Sequence, residues 1–201
     1  MSLVTLVSGG LDSTVMAMLS MKDEVKQHPL FVDYGHLAAE TEWETVLAVF
    51  ASLGLPEPLR MAIRGFGRLL PSGLTDPLRS IVEDAFLPGR NLMLLTAGCA
   101  YAYSMNAGGV AIGLLNESTA LFPDQTNDFL ERAQEAVDAA LGVHIEIVAP
   151  LQSESKMEVI LLAERLNVAN TYSCHAGHTT PCGECVSCIE LSRAVQRIAE
   201  G

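Results

Sequence analysis

Basic side chains are scarce in this 201-residue sequence, which has 12 lysines and arginines against 24 aspartates and glutamates and a net charge of −12. Proteins that hold a nucleic-acid backbone rely on clusters of Lys and Arg, and no such cluster is visible. An acidic protein can still bind a single nucleotide, because backbone amides and a helix N-terminus require no net positive charge. The composition therefore argues against a nucleic-acid partner and is compatible with small-molecule substrates.

Long apolar runs are also missing from the sequence. None reaches the ~18–20 residues that a membrane-spanning helix requires, and no cationic segment typical of a signal peptide precedes the first apolar residues. We therefore expect a cytoplasmic protein without a membrane partner. With 49% apolar and 18% charged residues, the chain has the composition of a compact globular protein rather than a disordered one.

Only one cysteine, Cys99, lies outside a short C-terminal cluster, and its apolar neighbours predict a buried structural thiol. Clustered cysteines in a chain without a secretory signal indicate metal binding rather than disulfides. Four thiolates can complete a tetrahedral Zn²⁺ shell and leave no open position for a water nucleophile. An iron–sulfur cluster, or the replacement of one thiolate by His175 or His178, remains an alternative. The proposed ligands are Cys174, Cys182, Cys185 and Cys188.

Short apolar runs alternate with segments of helical periodicity, an order that predicts a doubly wound α/β domain with a parallel five-stranded sheet. We assign residues 1–170 to this domain and residues 171–201 to a small zinc-binding appendage with a C-terminal helix. Residues 64–88 are predicted to form a long loop. Candidate helix N-caps are Thr126 or Asn127 and Ser153 or Ser155. The predicted strands are 4–7, 30–32, 59–63, 110–115 and 143–148, and the predicted helices are 12–21, one with Trp43, Val46, Leu47 and Phe50 on its apolar face, 91–106, 126–141 and 155–166.

A glycine- and hydroxyl-rich segment follows the first predicted strand and opens the first helix. Glycines permit a close approach of the backbone to a ligand, and the amides at a helix N-terminus attract phosphate. A tight turn with a serine cap is the alternative for two adjacent glycines alone. The Gly-Lys-Ser/Thr ending of a Walker A loop is absent. We call this segment the phosphate loop; it comprises Val7, Ser8, Gly9, Gly10, Leu11, Asp12, Ser13 and Thr14.

The phosphate loop resembles the Ser-Gly-Gly-x-Asp-Ser loop of the N-type ATP pyrophosphatase (PP-loop) superfamily. Further motifs in order along nearly the whole chain are similar to the 7-cyano-7-deazaguanine synthase family of queuosine biosynthesis. They are Asp33-Tyr34-Gly35, Pro88-Gly89-Arg90-Asn91, Pro123-Asp124, Ser155-Lys156 and the Cys-x7-Cys-Gly-x-Cys-x2-Cys cluster. The resemblance implies an adenine nucleotide alpha hydrolase-like fold.

The same resemblance implies an ATP-dependent ligase that converts 7-carboxy-7-deazaguanine and ammonia into the nitrile through adenylated intermediates. It implies ATP, Mg²⁺ and Zn²⁺ as cofactors, and members of the family often form homodimers. Asp12, Lys156 and Arg90 are the candidate catalytic residues. Asp33 and Tyr34 are expected to join the phosphate loop at the nucleotide, and Asn91, Asn116 and Asp124 to bind the acceptor.

Each of these residues could also have an ordinary structural role that the sequence alone does not exclude. Asp12 can cap a helix rather than orient Mg²⁺, Arg90 can form a salt bridge at a helix N-terminus, Lys156 can be a solvated surface lysine, and Pro-Asp is common in turns. The positions and contacts of these side chains in the structure distinguish the catalytic roles from the structural ones.

The sequence departs from the family pattern on the presumed acceptor side. His36 stands where the family usually has Gln, and Gln125 follows Pro-Asp where the family usually has Cys. These departures favour, as an alternative, a PP-loop enzyme that activates a different carboxylate, purine or peptide. A non-catalytic nucleotide-binding module stabilised by zinc is the alternative from another functional class.

Overall fold

The computed structural model describes residues 2–200. Its centre is a sheet of five parallel strands in the spatial order β3-β2-β1-β4-β5, so the predicted parallel five-stranded sheet is confirmed. Leu6 pairs with Leu30 on one side of β1, and Val4 pairs with Val110 on the other. The strand order therefore reverses direction at β1. The strands are β1 Ser2–Leu6, β2 Lys26–Asp33, β3 Leu59–Ala62, β4 Gly109–Ala111 and β5 Glu146–Val148.

Seven α-helices lie within the described residues, and each long helix of the main domain falls where the apolar periodicity predicts it. Of the alternative N-caps, Ser155 accepts a hydrogen bond from the backbone N–H of Glu158, and Thr126 accepts one from Phe129. The helices are α1 Leu11–Lys22, α2 Ala39–Leu53, α3 Gly65–Leu69, α4 Arg90–Ser104, α5 Asn127–Leu141, α6 Lys156–Arg165 and α7 Val186–Glu200.

Two apolar cores cover the two faces of the sheet. On one face Val15 of α1, Val46 of α2 and Val159 of α6 pack together against the sheet. On the other face Leu95 of α4 and Val137 of α5 pack in the same way. Because strand side chains alternate between faces, Leu3 and Val7 belong to the first core, and Val4 and Leu6 belong to the second. Helices on both faces confirm the doubly wound class.

Some predicted elements have different limits in the structure. The strand predicted for 110–115 pairs only over Gly109–Ala111, and the strand predicted for 143–148 only over Glu146–Val148. Ile112 still donates its N–H to the carbonyl oxygen of Val148 at 3.0 Å. The next apolar residues, Leu114 and Leu115, line a cleft. The predicted loop 64–88 contains the short helix α3.

Two further predictions concern burial and the membrane. Cys99 is 1% exposed, and burial raises the pKa of its thiol to about 12, as expected for a structural thiol. Within residues 2–200, no helix combines the length and apolar character needed to cross a bilayer. The division into 1–170 and 171–201 stays a prediction, although α7 of the second unit packs against α6 of the first.

Candidate active site

A cleft of about 290 Å³ opens at the carboxyl end of β1, beside β4. In open α/β sheets, ligands bind where the strand order reverses, and β1 is that point in this sheet. The cleft is lined by Ser8, Gly10, Asp12 and Ser13 of the phosphate loop and by residues that other strands, helices and loops contribute. The predicted phosphate loop therefore occupies the expected ligand position.

Gly9 lies where the phosphate loop packs against α2. Its φ is +77°, and a Cβ placed there would lie 2.9 Å from both the carbonyl oxygen of Glu42 and the backbone nitrogen of Val46. An L side chain at this position is strained by the positive φ and also obstructed by α2. The glycine thus lets the loop pack closely against the start of α2.

Hydroxyl groups fix the loop internally. Ser8 donates its backbone N–H to Ser13 Oγ at 3.2 Å, and Gly10 donates its N–H to Ser8 Oγ at 3.2 Å. Thr14 Oγ1 donates to the carbonyl oxygen of Gly10 at 2.8 Å. These bonds hold the turn before any ligand binds, which lowers the ordering cost of binding a phosphate group.

Lys156 lies at the cleft, 8% exposed, at the start of α6. Its Nζ donates to both carboxylate oxygens of Asp12, at 2.9 and 2.7 Å, and lies 3.3 Å from Glu190 Oε2. Burial alone lowers the pKa of Lys156, but the charges of Asp12 and Glu190 outweigh it and raise that pKa. Lys156 is therefore a buried cation at the loop, not a solvated surface lysine.

Arg90 and Tyr34 line the opposite side of the cleft. Arg90 begins α4, and its Nε donates to Asn91 Oδ1 at 3.4 Å. The ring of Tyr34 stacks on His36 with centroids 4.1 Å apart. Burial raises the pKa of Tyr34 to about 12, so the phenol stays protonated near neutral pH and can donate a hydrogen bond.

Asp33 lies outside the cleft lining. Its Oδ2 accepts hydrogen bonds from Arg60 Nη2 at 2.7 Å and from Arg64 Nε at 2.6 Å, and its Oδ1 accepts one from Gly35 N at 3.1 Å. Burial alone raises the pKa of Asp33, but the bonds from Arg60 and Arg64 outweigh it and hold that pKa low. The carboxylate thus anchors the end of β2 immediately before Tyr34.

The three candidate acceptor residues take different positions. Asn91 and Asn116 line the cleft. Asp124 lies behind Asn91: its Oδ2 accepts from Asn91 N at 3.3 Å, and its carbonyl oxygen accepts from Asn91 Nδ2 at 2.8 Å. Asn116 Oδ1 accepts from Ser118 N at 2.9 Å. Asp124 therefore fixes Asn91 rather than contacting the cleft itself.

The cysteine cluster is assembled as predicted. The Sγ atoms of Cys174, Cys182, Cys185 and Cys188 all lie within 4.8 Å of one another. Tetrahedral Zn–S bonds of ~2.3 Å require S–S separations of this order, so the residues fit a metal ion. Burial raises the pKa of Cys174, but N–H bonds from Cys182 and Ala176 outweigh it and lower that pKa to about 7.

Two contacts join the residues before Cys174 to the phosphate loop. Tyr172 donates its N–H to the carbonyl oxygen of Gly9 at 2.9 Å, and Leu11 donates its N–H to Ser173 Oγ at 3.3 Å. Val186, Ser187 and Glu190 of α7 also line the cleft. The cysteine segment therefore forms one wall of the candidate active site.

Comparison with known proteins decides the family. The sequence matches the queuosine biosynthesis protein QueC family over residues 2–199. This chain belongs to the QueC family. A 7-cyano-7-deazaguanine synthase from Methanothermobacter thermautotrophicus is 30% identical over 98% of this chain and 95% of that protein. The 7-cyano-7-deazaguanine synthase 1 of Desulfitobacterium hafniense is 31% identical over 96% and 90%.

Solved structures agree on the fold of this QueC-family chain. The U34-tRNA thiolase NcsA of Methanococcus maripaludis, solved with its [4Fe-4S] cluster, has a TM-score of 0.53 at 20% identity, over 99% of this chain and 66% of that one. A 4-thiouridine synthetase solved with RNA and ATP has a TM-score of 0.53 at 18% identity, over 99% and 50%. At these identities the likeness shows the fold alone, which is the PP-loop, adenine nucleotide alpha hydrolase-like fold.

Four residues that line the QueC-family cleft were not predicted from the sequence as site residues. His36 Nε2 lies 2.9 Å from Glu42 Oε2, and both side chains line the cleft. His175 lines it too, and burial lowers the pKa of its imidazole to about 4. The sequence pattern could have indicated that Glu190 faces inward, because it lies four residues from both Val186 and Ala194 on α7. A charged residue between apolar residues at helical spacing points to a buried partner.

Proposed function

We propose that this QueC-family protein uses ATP to convert 7-carboxy-7-deazaguanine and ammonia into 7-cyano-7-deazaguanine. The observation that carries the proposal is the ion pair between buried Lys156 and half-buried Asp12 at the mouth of the phosphate loop. It places a cation and a carboxylate where the phosphates of ATP would lie. The names of its relatives, 7-cyano-7-deazaguanine synthases, support this choice of acceptor.

The proposed reaction has two activation steps. The substrate carboxylate first attacks the α-phosphorus of ATP and releases pyrophosphate, because a free carboxylate is a poor electrophile without a good leaving group. Ammonia then attacks the acyl carbon, the bond to AMP breaks, and a primary amide forms with loss of one proton. The amide oxygen then attacks the α-phosphorus of a second ATP and releases a second pyrophosphate, and elimination of AMP with loss of the two remaining N–H protons gives the nitrile.

Different residues of the cleft have different roles in the proposed reaction. Lys156 and Arg90 stabilise the negative charge that develops on the phosphates, usually the largest single contribution of an enzyme site. Asp12 would hold a magnesium ion, which supplies additional positive charge when bound. The internally bonded phosphate loop orients the pyrophosphate portion, and Tyr34 borders the same space.

The acceptor is proposed to lie beside Asn91 and Asn116, which line the cleft. Deazapurines offer ring N–H donors and a carbonyl oxygen, and amide side chains can pair with both kinds of group. Asp124 acts indirectly by fixing Asn91. The small cleft, about 290 Å³, and the net charge of −12 support a free small-molecule acceptor rather than a nucleic acid.

For the cysteine cluster we propose structural Zn²⁺. Four thiolate donors in a local loop suit a closed tetrahedral site. The ion would cross-link a segment that is too short to build its own core, and would thereby hold Tyr172, Ser173 and α7 against the phosphate loop.

A different acceptor is the second candidate, and the pairing of His36 with Glu42 favours it. The family usually has Gln at this position, so the cleft differs in charge and shape from the family pattern. Such an enzyme would use the same phosphate loop to adenylate another carboxylate or purine.

Acceptor-dependent ATP consumption separates these candidates. We expect continued release of AMP and pyrophosphate only when 7-carboxy-7-deazaguanine and ammonium are both present, because without ammonium the reaction stops at the acyl adenylate. Exposed Lys22 offers a matched control, since Lys22→Met leaves the cleft unchanged whereas Lys156→Met removes its cation. ATP consumption by other carboxylates or purines, with none from 7-carboxy-7-deazaguanine, would support the second candidate and overturn the first.

A further inference from the structure

Glu190 is a charged residue of the cysteine segment that reaches into the cleft. Its Oε2 lies 3.3 Å from Lys156 Nζ, and its side chain is about one-third exposed. It lies on α7, which begins at Val186, between the third and fourth cysteines. The two partners of this ion pair lie on helices that pack against each other, Glu190 on α7 and Lys156 on α6.

Asp12 takes most of the hydrogen-bonding capacity of Lys156 in this arrangement. A lysine ammonium has three N–H donors and no acceptor. Two of them are directed to the two oxygens of Asp12, and Glu190 lies within reach of the third. Because Asp12 takes two of the three donors, Lys156 can direct more than one hydrogen bond to phosphate oxygens only if it turns away from Asp12.

Of the two carboxylates, Asp12 is the one placed to release Lys156. It belongs to the phosphate loop and to the first turn of α1, where an incoming phosphate or its counter-ion would lie. Glu190 belongs to α7 in the cysteine segment and not to the phosphate loop. If Lys156 turns away from Asp12, its contact with Glu190 can persist and keep Nζ at the mouth of the loop.

Resting on the proposed function, we propose that Glu190 is a positioning residue that holds Lys156 at the phosphate loop while Lys156 turns from Asp12 to the phosphates of ATP. Glu190 itself contacts neither the phosphates nor the acceptor. Through α7, the cysteine segment thus contributes to the placement of the catalytic cation.

This role predicts opposite effects on binding and on turnover. Glu190 places a negative charge near the anionic phosphates, so its removal relieves repulsion and tightens ATP binding. The same removal leaves Lys156 less well placed for the transition state, so turnover slows. A residue that only clamps α7 to α6 would weaken both properties together.

The test compares the metal-loaded wild-type protein with Glu190→Gln, Glu190→Asp and the control Glu200→Gln, which lies exposed on the same helix. For Glu190→Gln we expect about fivefold tighter binding of Mg-ATP and about tenfold slower turnover, with partial rescue of turnover by Glu190→Asp. Glu200→Gln should match the wild type. Unchanged binding and turnover in Glu190→Gln, or weaker binding with slower turnover, would overturn the proposal.

A second measurement keeps this test separate from the choice of acceptor. Bound ATP should protect Lys156 from a lysine-acylating reagent in the wild-type protein, and Glu190→Gln should weaken that protection at saturating ATP. Equal protection in both proteins would overturn the role of Glu190. A wild-type protein that binds Mg-ATP but forms no nitrile would instead refute only the proposed acceptor. If Glu190→Gln fails to fold, Glu190→Ala, which also removes the carboxylate, replaces it in both measurements.

Discussion

Lys156 donates hydrogen bonds from one nitrogen to both carboxylate oxygens of Asp12, although the two residues are 144 positions apart in the sequence. The pair joins the first turn of α1 to the first turn of α6. It brings together two of the three residues that the sequence indicates as catalytic. Arg90 lines the same cleft from α4.

Loss of the Lys156 cation should abolish most ATP turnover. Lys156→Met leaves Asp12 and Glu190 without their shared counter-charge, so the phosphates of ATP meet two carboxylates and no ammonium. We expect turnover to fall by about 10²–10³-fold, the size of effect seen when a preorganised charge-stabilising donor is removed. Steady-state kinetics beside Lys22→Met measure this, and turnover equal to that of the control would exclude Lys156 from catalysis.

A side chain at Gly9 would have two effects that can be measured separately: steric crowding against α2 and strain from the positive φ. Gly9 and Gly54 both have positive φ, +77° and +68°, but only at Gly9 would a Cβ meet backbone atoms of α2. We expect Gly54→Ala to cost about 1 kcal/mol of stability without effect on ATP affinity. Gly9→Ala should lose ATP binding by more than about tenfold, since the loop must shift. Calorimetric titration with Mg-ATP checks both, and normal affinity in Gly9→Ala would contradict the assigned role of the loop.

The cysteine cluster predicts one zinc ion per chain. Elemental analysis should find zinc in the wild-type protein and in Cys99→Ser, which changes only a buried thiol outside the cluster. Cys185→Ser should lose the ion, lower the melting temperature and weaken ATP binding, because the same segment contacts Gly9 and Leu11. Iron with acid-labile sulfide in the wild-type protein would refute zinc, and full retention of metal by Cys185→Ser would refute the ligand set.

Asp33 should stabilise the fold in a pH-dependent way. Its folded-state pKa lies below the usual 3.8, so its contribution is complete above the unfolded pKa and is lost as the pH falls through the folded pKa. At neutral pH we expect Asp33→Asn to cost about 2 kcal/mol, less than a fully buried pair because Arg64 is largely exposed. Below about pH 4 the difference from the wild type should narrow.

Denaturant unfolding at several pH values measures this difference. Asp128→Asn is the control, because its partner Arg132 lies on the surface at helical spacing. A stability difference for Asp33→Asn that stays constant down to pH 3 would contradict the account. Because the Asp33 carboxylate is outside the cleft lining, we also expect ATP affinity to change little.

Local patterns in the sequence were sufficient for several parts of the molecule. The phosphate loop, the four clustered cysteines and the N-caps Thr126 and Ser155 depend on residues close together along the chain. Strand–helix alternation likewise predicted the sheet, because it reflects burial on both faces. These features could be predicted because their physical cause is contained within short segments.

Long-range pairings could not be predicted in the same way. The contacts of Asp33 with Arg60, of His36 with Glu42 and of Lys156 with Glu190 depend on how elements pack, and no residue type or spacing specifies them. The C-terminal end of β4 was mispredicted for a related reason. Apolar residues after Ala111 line the cleft, and hydrophobicity alone does not distinguish a cleft wall from a paired strand.

The central claim is that this cleft makes a nitrile from a deazapurine carboxylate. The most direct measurement is mass spectrometry of a reaction with 7-carboxy-7-deazaguanine, Mg-ATP and nitrogen-15 ammonium, run with the wild-type protein and with Lys156→Met. The account predicts 7-cyano-7-deazaguanine carrying one nitrogen-15 atom, with the labelled amide as its precursor, and almost none from the variant. Unchanged 7-carboxy-7-deazaguanine with folded, metal-loaded wild-type protein that binds ATP would contradict it.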